Sequence, residues 1–380
     1  MRRLFLHIGA HKTGTTALQQ SLHQNRLVLA SCGVAYVEGP TAAHLHAYLG
    51  PRTAGAFLPD GHMVLDPEAL ADRLASADQD TVVASSENFS FFFHRAPIAA
   101  LEQALRPHFD QIRILCYLRR QDRHAVSHHQ EGAKSHRLAE GALWGHAPKA
   151  LPDPSPAQDL YLDYDRRLGL WADVFGADKL DLRVYDRALL LDGDIFADAL
   201  SVIGVTIAGL HPAGDRNVSL GAAQTKAGHL MNGLGVRPKA MDAILTRIGN
   251  SGRLQPSQAE ARGFLDHYLD SNRRLNARFR VASLPDLFND DFDDYPATPH
   301  SDWTEAGANA ALLAVLTQLP EVATALSALS ADDFRNAAVA LQSKSPEVAL
   351  RLINAAQELR PAGPSIGKLK AELESKLKGV

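Results

Sequence analysis

Cysteine is scarce in this chain: 380 residues carry only Cys32 and Cys116. Two thiols make no disulfide framework, which excludes a small stapled scaffold and makes a reducing compartment the simpler expectation. Long apolar runs are missing as well, and none approaches the ~20 residues a bilayer span requires. Met1-Arg2-Arg3 resembles the start of a secretory leader, but the apolar run behind it is short and broken by His7, His11 and Lys12. A soluble, cytoplasmic protein with no transmembrane segment is expected. An excess of positive charge is also lacking, since 39 Lys and Arg face 43 Asp and Glu for a formal charge of −4. No overall field advertises nucleic acid or an anionic membrane, and any positive potential has to be local, as at Lys12 and Arg119-Arg120. The 17 histidines contain no H-E-x-x-H or comparable spacing, so no metal is expected. His128 and His129 fall on different faces of one helix and read as surface residues.

Hydrophobic residues, at 46%, are ample for a packed core, and the length exceeds what one ordinary core serves. Apolar, β-branched runs predict strands over 4–8, 81–86, 112–118 and 180–184. Helical patterns cover 15–30, 67–77, 96–106, 122–132, 159–175, 194–203, 220–233 and 258–279. Strands alternating with helices predict a parallel sheet covered on both faces, with ligands at the carboxyl ends of its strands. Residues 39–67 and 134–156 read as long loops, and the second holds Trp144. From Trp303 onward the pattern is helical only, over 330–343, 345–359 and 365–378. We therefore expect an α/β domain over 1–300 and a helical extension over 301–380. The middle stretch looks like part of a tetratricopeptide-type hairpin, which would offer a protein partner a surface; a tail packed on the main domain is the alternative.

The most informative stretch is residues 7–16, His-Ile-Gly-Ala-His-Lys-Thr-Gly-Thr-Thr. A strand runs into a glycine-bounded turn and straight into a helix, which aims unpaired N–H groups and the positive end of a helix dipole outward. Lys12 adds a full charge, and Thr13, Thr15 and Thr16 add hydroxyls. Such a cradle suits a phosphate-like group; a Gly/Thr-rich helix cap without a ligand is the plainer alternative. Lys12 precedes Gly14, so this is not the G-x-x-x-x-G-K-[ST] loop of nucleotide triphosphatases, and no G-x-G-x-x-G follows the strand.

Lys12-Thr13-Gly14-Thr15-Thr16 instead resembles the 5′-phosphosulfate loop of sulfotransferases that use 3′-phosphoadenosine 5′-phosphosulfate (PAPS), in particular the bacterial, carbohydrate-type members. A second stretch agrees. In that family a strand ends in an Arg with a Ser eight residues later, and the two hold the 3′-phosphate; Arg119 and Ser127 have this order and spacing. An Arg fork suits phosphate, and three arginines (Arg119, Arg120, Arg123) at a helix start are unfavourable without a resident anion. Weaker likenesses place Tyr185 near the adenosine and Asn217 or Ser219 near the 3′-phosphate and adenine, although either of the last two serves equally as an N-cap. The Lys/Arg-Lys-Gly motif of the animal cytosolic enzymes is absent.

The resemblance, over about residues 1–295, implies an α/β, P-loop-like parallel sheet flanked by helices, with the all-α C-terminal extension outside it. It also implies PAPS as co-substrate, no metal, and sulfuryl transfer to an acceptor hydroxyl. Lys12 would neutralise the leaving phosphate. The base would be Glu87, at the end of the 81–86 strand, with His94 second and His11 third. The acceptor is expected to be a carbohydrate or glycolipid held by the two long loops, with Tyr48 and Trp144 as stacking surfaces. The alternatives are a nucleotide kinase or other P-loop phosphotransferase, and a non-catalytic nucleotide-binding scaffold that works through the helical tail.

Overall fold

The apolar runs form one sheet. In the computed structural model, which describes residues 1–37, 66–134, 141–206, 210–213, 219–316 and 330–377, five parallel strands lie in the order β2-β3-β1-β4-β5. They are β1 Arg3–His7, β2 Val34–Tyr36, β3 Thr81–Ser85, β4 Gln111–Leu118 and β5 Leu180–Val184. β1 is central, with Leu4 level with Val82 on one side and Ile112 on the other. The strands that follow β1 go first to one side and then to the other. The crevice above the carboxyl ends of β1, β3 and β4 is therefore the place where such a sheet binds ligands.

Period-two alternation divides the core. Leu4, Leu6, Val82, Ala84, Ile114, Cys116 and Leu118 face helices Pro67–Ala75, Arg95–Leu105 and Tyr164–Phe175 through Leu70, Leu74, Ile98, Leu101, Leu168 and Trp171. Phe5, Val83, Leu115 and Tyr117 face helices Thr15–Gln24 and Ile195–Ile203 through Leu18, Leu22, Phe196 and Leu200. Each Val, Leu, Ile and Phe among them contributes about 1.5–3 kcal/mol by leaving water. Together these faces fix the crevice to a rigid base.

Three expected helices are each broken in two. The first divides into Thr15–Gln24 and Arg26–Ser31 at Asn25, whose side chain turns back to the Ser21 carbonyl. The second divides into Pro156–Leu162 and Tyr164–Phe175 at Asp163, which accepts from the Arg166 amide as an N-cap. The third divides into Gln258–Asp266 and Leu269–Phe279. The chain forms two compact units, Met1–Ala311 and Leu312–Val380. In the second, helices Ala331–Leu341, Pro346–Leu359 and Pro364–Leu377 pack through Ala338, Ala349, Ile353, Ile366 and Leu369. Among the described residues no helix is long and apolar enough to cross a membrane.

Candidate active site

Beyond His7 the chain stays paired with β4: the Ile8 amide donates to Leu115 O, the Tyr117 amide to Gly9 O and the Ala10 amide to Tyr117 O. It then turns sharply, with Lys12 and Gly14 both left-handed at φ 59° and 77°. Thr13 Oγ1 donates to Ala10 O at 2.6 Å and closes the turn. Helix Thr15–Gln24 starts at Gly14 with no side-chain cap and no acid in its first turn. Its first amides have no acceptor within the helix and point their partial charge out of the loop.

This end of the helix opens into a cavity of about 250 Å³. Lys12, Gly14, Thr15 and Thr16 line it from the β1 loop, Glu87 from the end of β3, Arg119 and Ser127 from the end of β4, and Tyr185 from the end of β5. Segments more than a hundred residues apart thus meet because each follows a strand of one parallel sheet. A second polar space of about 380 Å³ shares Lys12, Arg119, Ser127, Glu131 and Ser219 with the first. It continues past Arg123, Gln130, Lys134, Arg253, Gln255 and Tyr295.

Charge in the cleft is arranged around Lys12. Its Nζ lies 3.3 Å from Glu131 Oε2, and Lys134 Nζ lies 2.9 Å from the same oxygen. Burial lowers the Lys12 pKa from its ordinary value, and the Glu131 carboxylate works against that shift. Arg119 Nη1 donates to Lys12 O at 2.8 Å, so the second cation of the cleft is tied to the loop of the first. Burial also lowers the Arg119 pKa. The Arg119 carbonyl accepts from Tyr164 Oη at 2.7 Å, which fixes the end of β4. Glu87 Oε2 accepts from the neutral amide of Gln19, Nε2, at 2.9 Å. His11 hydrogen-bonds Tyr161 Oη through Nδ1 at 2.8 Å and stacks on His128 with ring centroids 4.9 Å apart.

Other expected residues stand elsewhere. Thr13 is fully buried and spends its hydroxyl on the turn, so it does not line the cavity. His94 is the N-cap residue of helix Arg95–Leu105, outside the cavity lining. The 3-10 turn Glu87–Phe91 leads the chain off, and Phe89, Phe91 and Phe92 pull it into the core. Trp144 is not a stacking surface for a ligand: it is buried against His128 and Tyr161. Arg120 faces inward, paired with Asp122 at 2.8 Å and lying over the Phe292 ring. His128 and His129 are both buried, the latter stacked on His229 at 4.1 Å, and neither is a surface residue. Asn217 and Tyr48 lie outside the described residues.

Glu131, Lys134 and Arg253 are cleft residues that the motifs did not single out. Glu131 had a sequence signal, because it follows Ser127 by four residues on helix Gln121–Glu131 and so shares its face. Arg253 had none; it reaches the cleft from a turn that only the tertiary fold brings near.

The arrangement can bind a ligand that is anionic at two points, with backbone amides and Lys12 at one and Arg119 with Ser127 at the other. It also presents a carboxylate, Glu87, beside the first point. No family model matches the sequence, and no curated protein matches it. Among solved structures the chain is similar to a sulfotransferase from Alicyclobacillus acidocaldarius, at 16% identity and a TM-score of 0.42, over 74% of this chain and 97% of that one.

Proposed function

We propose that the chain is a sulfotransferase that moves a sulfuryl group from PAPS to a hydroxyl of a carbohydrate or glycolipid acceptor. The observation that carries this reading is that Lys12 and Arg119 line one cleft, tied by the hydrogen bond from Arg119 Nη1 to Lys12 O, in front of an uncapped helix N-terminus. The residues fit the donor. Gly14 lets the turn run directly into the helix with φ 77°, no acid stands in the first helical turn, and Lys12 and Arg119 both line the cavity. The polar lining of the adjoining space, with Gln130, Gln255 and Tyr295, favours a polyhydroxylated acceptor.

PAPS supplies an activated sulfuryl group on a phosphate leaving group. Transfer in line between two oxygens depends mainly on positioning and on stabilising charge. Lys12 and the amides of the helix start hold the phosphosulfate end and take up charge on the leaving oxygen. Arg119 and Ser127 hold the 3′-phosphate, and Tyr185 flanks the adenosine. Glu87 accepts the proton of the attacking hydroxyl as its oxygen bonds to sulfur and the sulfur–phosphate oxygen bond breaks. No step requires a metal.

The rival reading, a P-loop phosphotransferase, asks for a Lys after the second Gly and a Mg²⁺-binding hydroxyl beside it. A thermal-shift comparison separates the two. 3′-Phosphoadenosine 5′-phosphate should raise the melting temperature by mass action, and ATP with Mg²⁺ should not. Stabilisation by ATP with Mg²⁺ alone would exclude the proposal. Sulfur-labelled PAPS incubated with an extract of glycans and lipids then identifies the acceptor.

A further inference from the structure

An anion site should repel carboxylates, yet Glu131 lies inside this one. Its Oε2 is shared between Lys12 at 3.3 Å and Lys134 at 2.9 Å, and its side chain is only 14% exposed. Glu131 is also the last residue of helix Gln121–Glu131, where the dipole disfavours negative charge. It costs stability at that position unless the two lysines offset it. Lys12 in turn is drawn out of water into the cleft and needs a counter-ion when no ligand is there.

We propose that Glu131 sets which anions the cleft accepts, by acting as the resident counter-ion of Lys12 that a ligand has to displace. This rests on the reading of the cleft as an anion site for a two-ended adenosine donor. A small anion such as inorganic sulfate or phosphate only exchanges one Lys12 partner for another. It gains little and leaves Glu131 with one lysine fewer. A ligand that also reaches Arg119 and Ser127 gains charge-assisted hydrogen bonds that the exchange alone does not give. Lys134 makes the displacement feasible, because the released carboxylate keeps one cation on the cleft wall. Glu87 cannot do this work, since its partner is the neutral amide of Gln19. The cleft thereby selects for ligands anionic at both ends against the small anions that surround it.

The test is calorimetric titration at constant ionic strength of sodium sulfate and of 3′-phosphoadenosine 5′-phosphate into the full-length protein and its variants. Glu131→Gln should bind sulfate at least about 10-fold more tightly than wild type, and the adenosine ligand's advantage over sulfate should shrink by a similar factor. Adding Lys12→Met should abolish the gain. Lys134→Met should act in the opposite direction, because Glu131 loses the nearer of these two lysines and holds Lys12 more tightly, so that sulfate binds more weakly. Unchanged sulfate affinity in Glu131→Gln, absent sulfate binding in every variant, or a gain that survives the loss of Lys12 overturns the proposal. If Glu131→Gln fails to fold, the sign of the Lys134→Met effect decides. A sulfate gain in a protein that never binds the adenosine ligand would support the Glu131 filter while refuting the donor assignment.

Discussion

Gly14 and Tyr185 are in contact across the cleft: a Cβ on Gly14 would stand 3.0 Å from both Cε2 and Oη of Tyr185. The same Cβ would meet Ile195 Cδ1 at 3.3 Å, on the helix beneath. Gly14 also has φ 77°, a conformation that costs an L side chain about 1–2 kcal/mol. Glycine here serves two ends at once, the turn into the helix and the close seating of Tyr185, just after β5, against the loop that follows β1.

Gly14→Ala should therefore lower both stability and ligand affinity. Urea unfolding should show a loss of about 1–3 kcal/mol from backbone strain and crowding. Binding of 3′-phosphoadenosine 5′-phosphate, followed by calorimetry, should weaken more than 10-fold as Tyr185 is pushed off the loop. Tyr185→Ala removes the clash, so the double variant should recover part of the stability but not the affinity. A double variant no more stable than Gly14→Ala would show that the contact is not the source of the loss.

Glu87 is the carboxylate that the proposed reaction uses, and its partner Gln19 stands on helix Thr15–Gln24. Glu87→Gln keeps shape and hydrogen-bonding capacity. Turnover with PAPS should fall by about 10²-fold or more, the scale of a lost general base, while binding of 3′-phosphoadenosine 5′-phosphate stays within about threefold of wild type. Unchanged turnover removes Glu87 from the mechanism and directs attention to His11, the other proton-accepting group of the sequence reading that does line the cavity.

Four of the five strands and the turn after β1 were legible because they rest on local signals: short apolar runs, and glycine between a strand and a helix. β2 was not, since Val34–Tyr36 is three residues long and gains its pairing only from β3. The breaks at Asn25 and Asp163 were hidden for a related reason, because a polar residue within an amphipathic run reads as its solvent face until its side chain is seen capping backbone. The burial of His128, His129 and Trp144 depends on partners far away in sequence, His11, Tyr161 and His229. The same holds for the turn that brings Arg253 to the cleft. Lys12 stands out locally, in a glycine-bounded turn between a strand and a helix, and Arg119 and Ser127 stand out only through the family resemblance, whereas Glu131 carries no such mark, because a carboxylate is not what an anion site leads one to seek.

Buried histidines, among them His7, His124, His129 and His229, make stability depend on pH, and burial lowers each of the four. Burial lowers His7 from 6.5 to about 3, His129 to about 4 and His229 to about 2, the last also pushed down by neighbouring His129, His146 and Lys226. A folded-state pKa below the unfolded value means that the unfolded chain binds more protons in between. The stabilisation is complete above about pH 6.5 and is lost as pH falls, at about 1.4 kcal/mol per pH unit for each histidine. Urea midpoints should hold steady from pH 8 to 7 and then drop steeply between pH 6 and 5, before most carboxylates titrate. His229→Gln should flatten that slope. A midpoint independent of pH from 7 to 5 would mean that these rings are protonated without cost in the folded protein.

Arg119 is expected to do two things that a lysine cannot do together. Its Nη1 holds the Lys12 carbonyl at 2.8 Å, and Arg119 also lines the cleft. Arg119→Lys keeps the charge but offers one donor group for both tasks. Loss of a charge-assisted hydrogen bond is worth about 1.5–3 kcal/mol, so binding of 3′-phosphoadenosine 5′-phosphate should weaken by about 10- to 100-fold. Adenosine 5′-phosphate, which lacks the 3′-phosphate, separates the two roles. If Arg119 grips the 3′-phosphate, affinity for adenosine 5′-phosphate should change by less than about threefold, and the preference for the 3′-phosphorylated ligand should collapse. Equal losses for both nucleotides would mean that Arg119 acts only by bracing the loop at Lys12, and the 3′-phosphate would then have to be sought along Arg123 and Arg253 in the adjoining space.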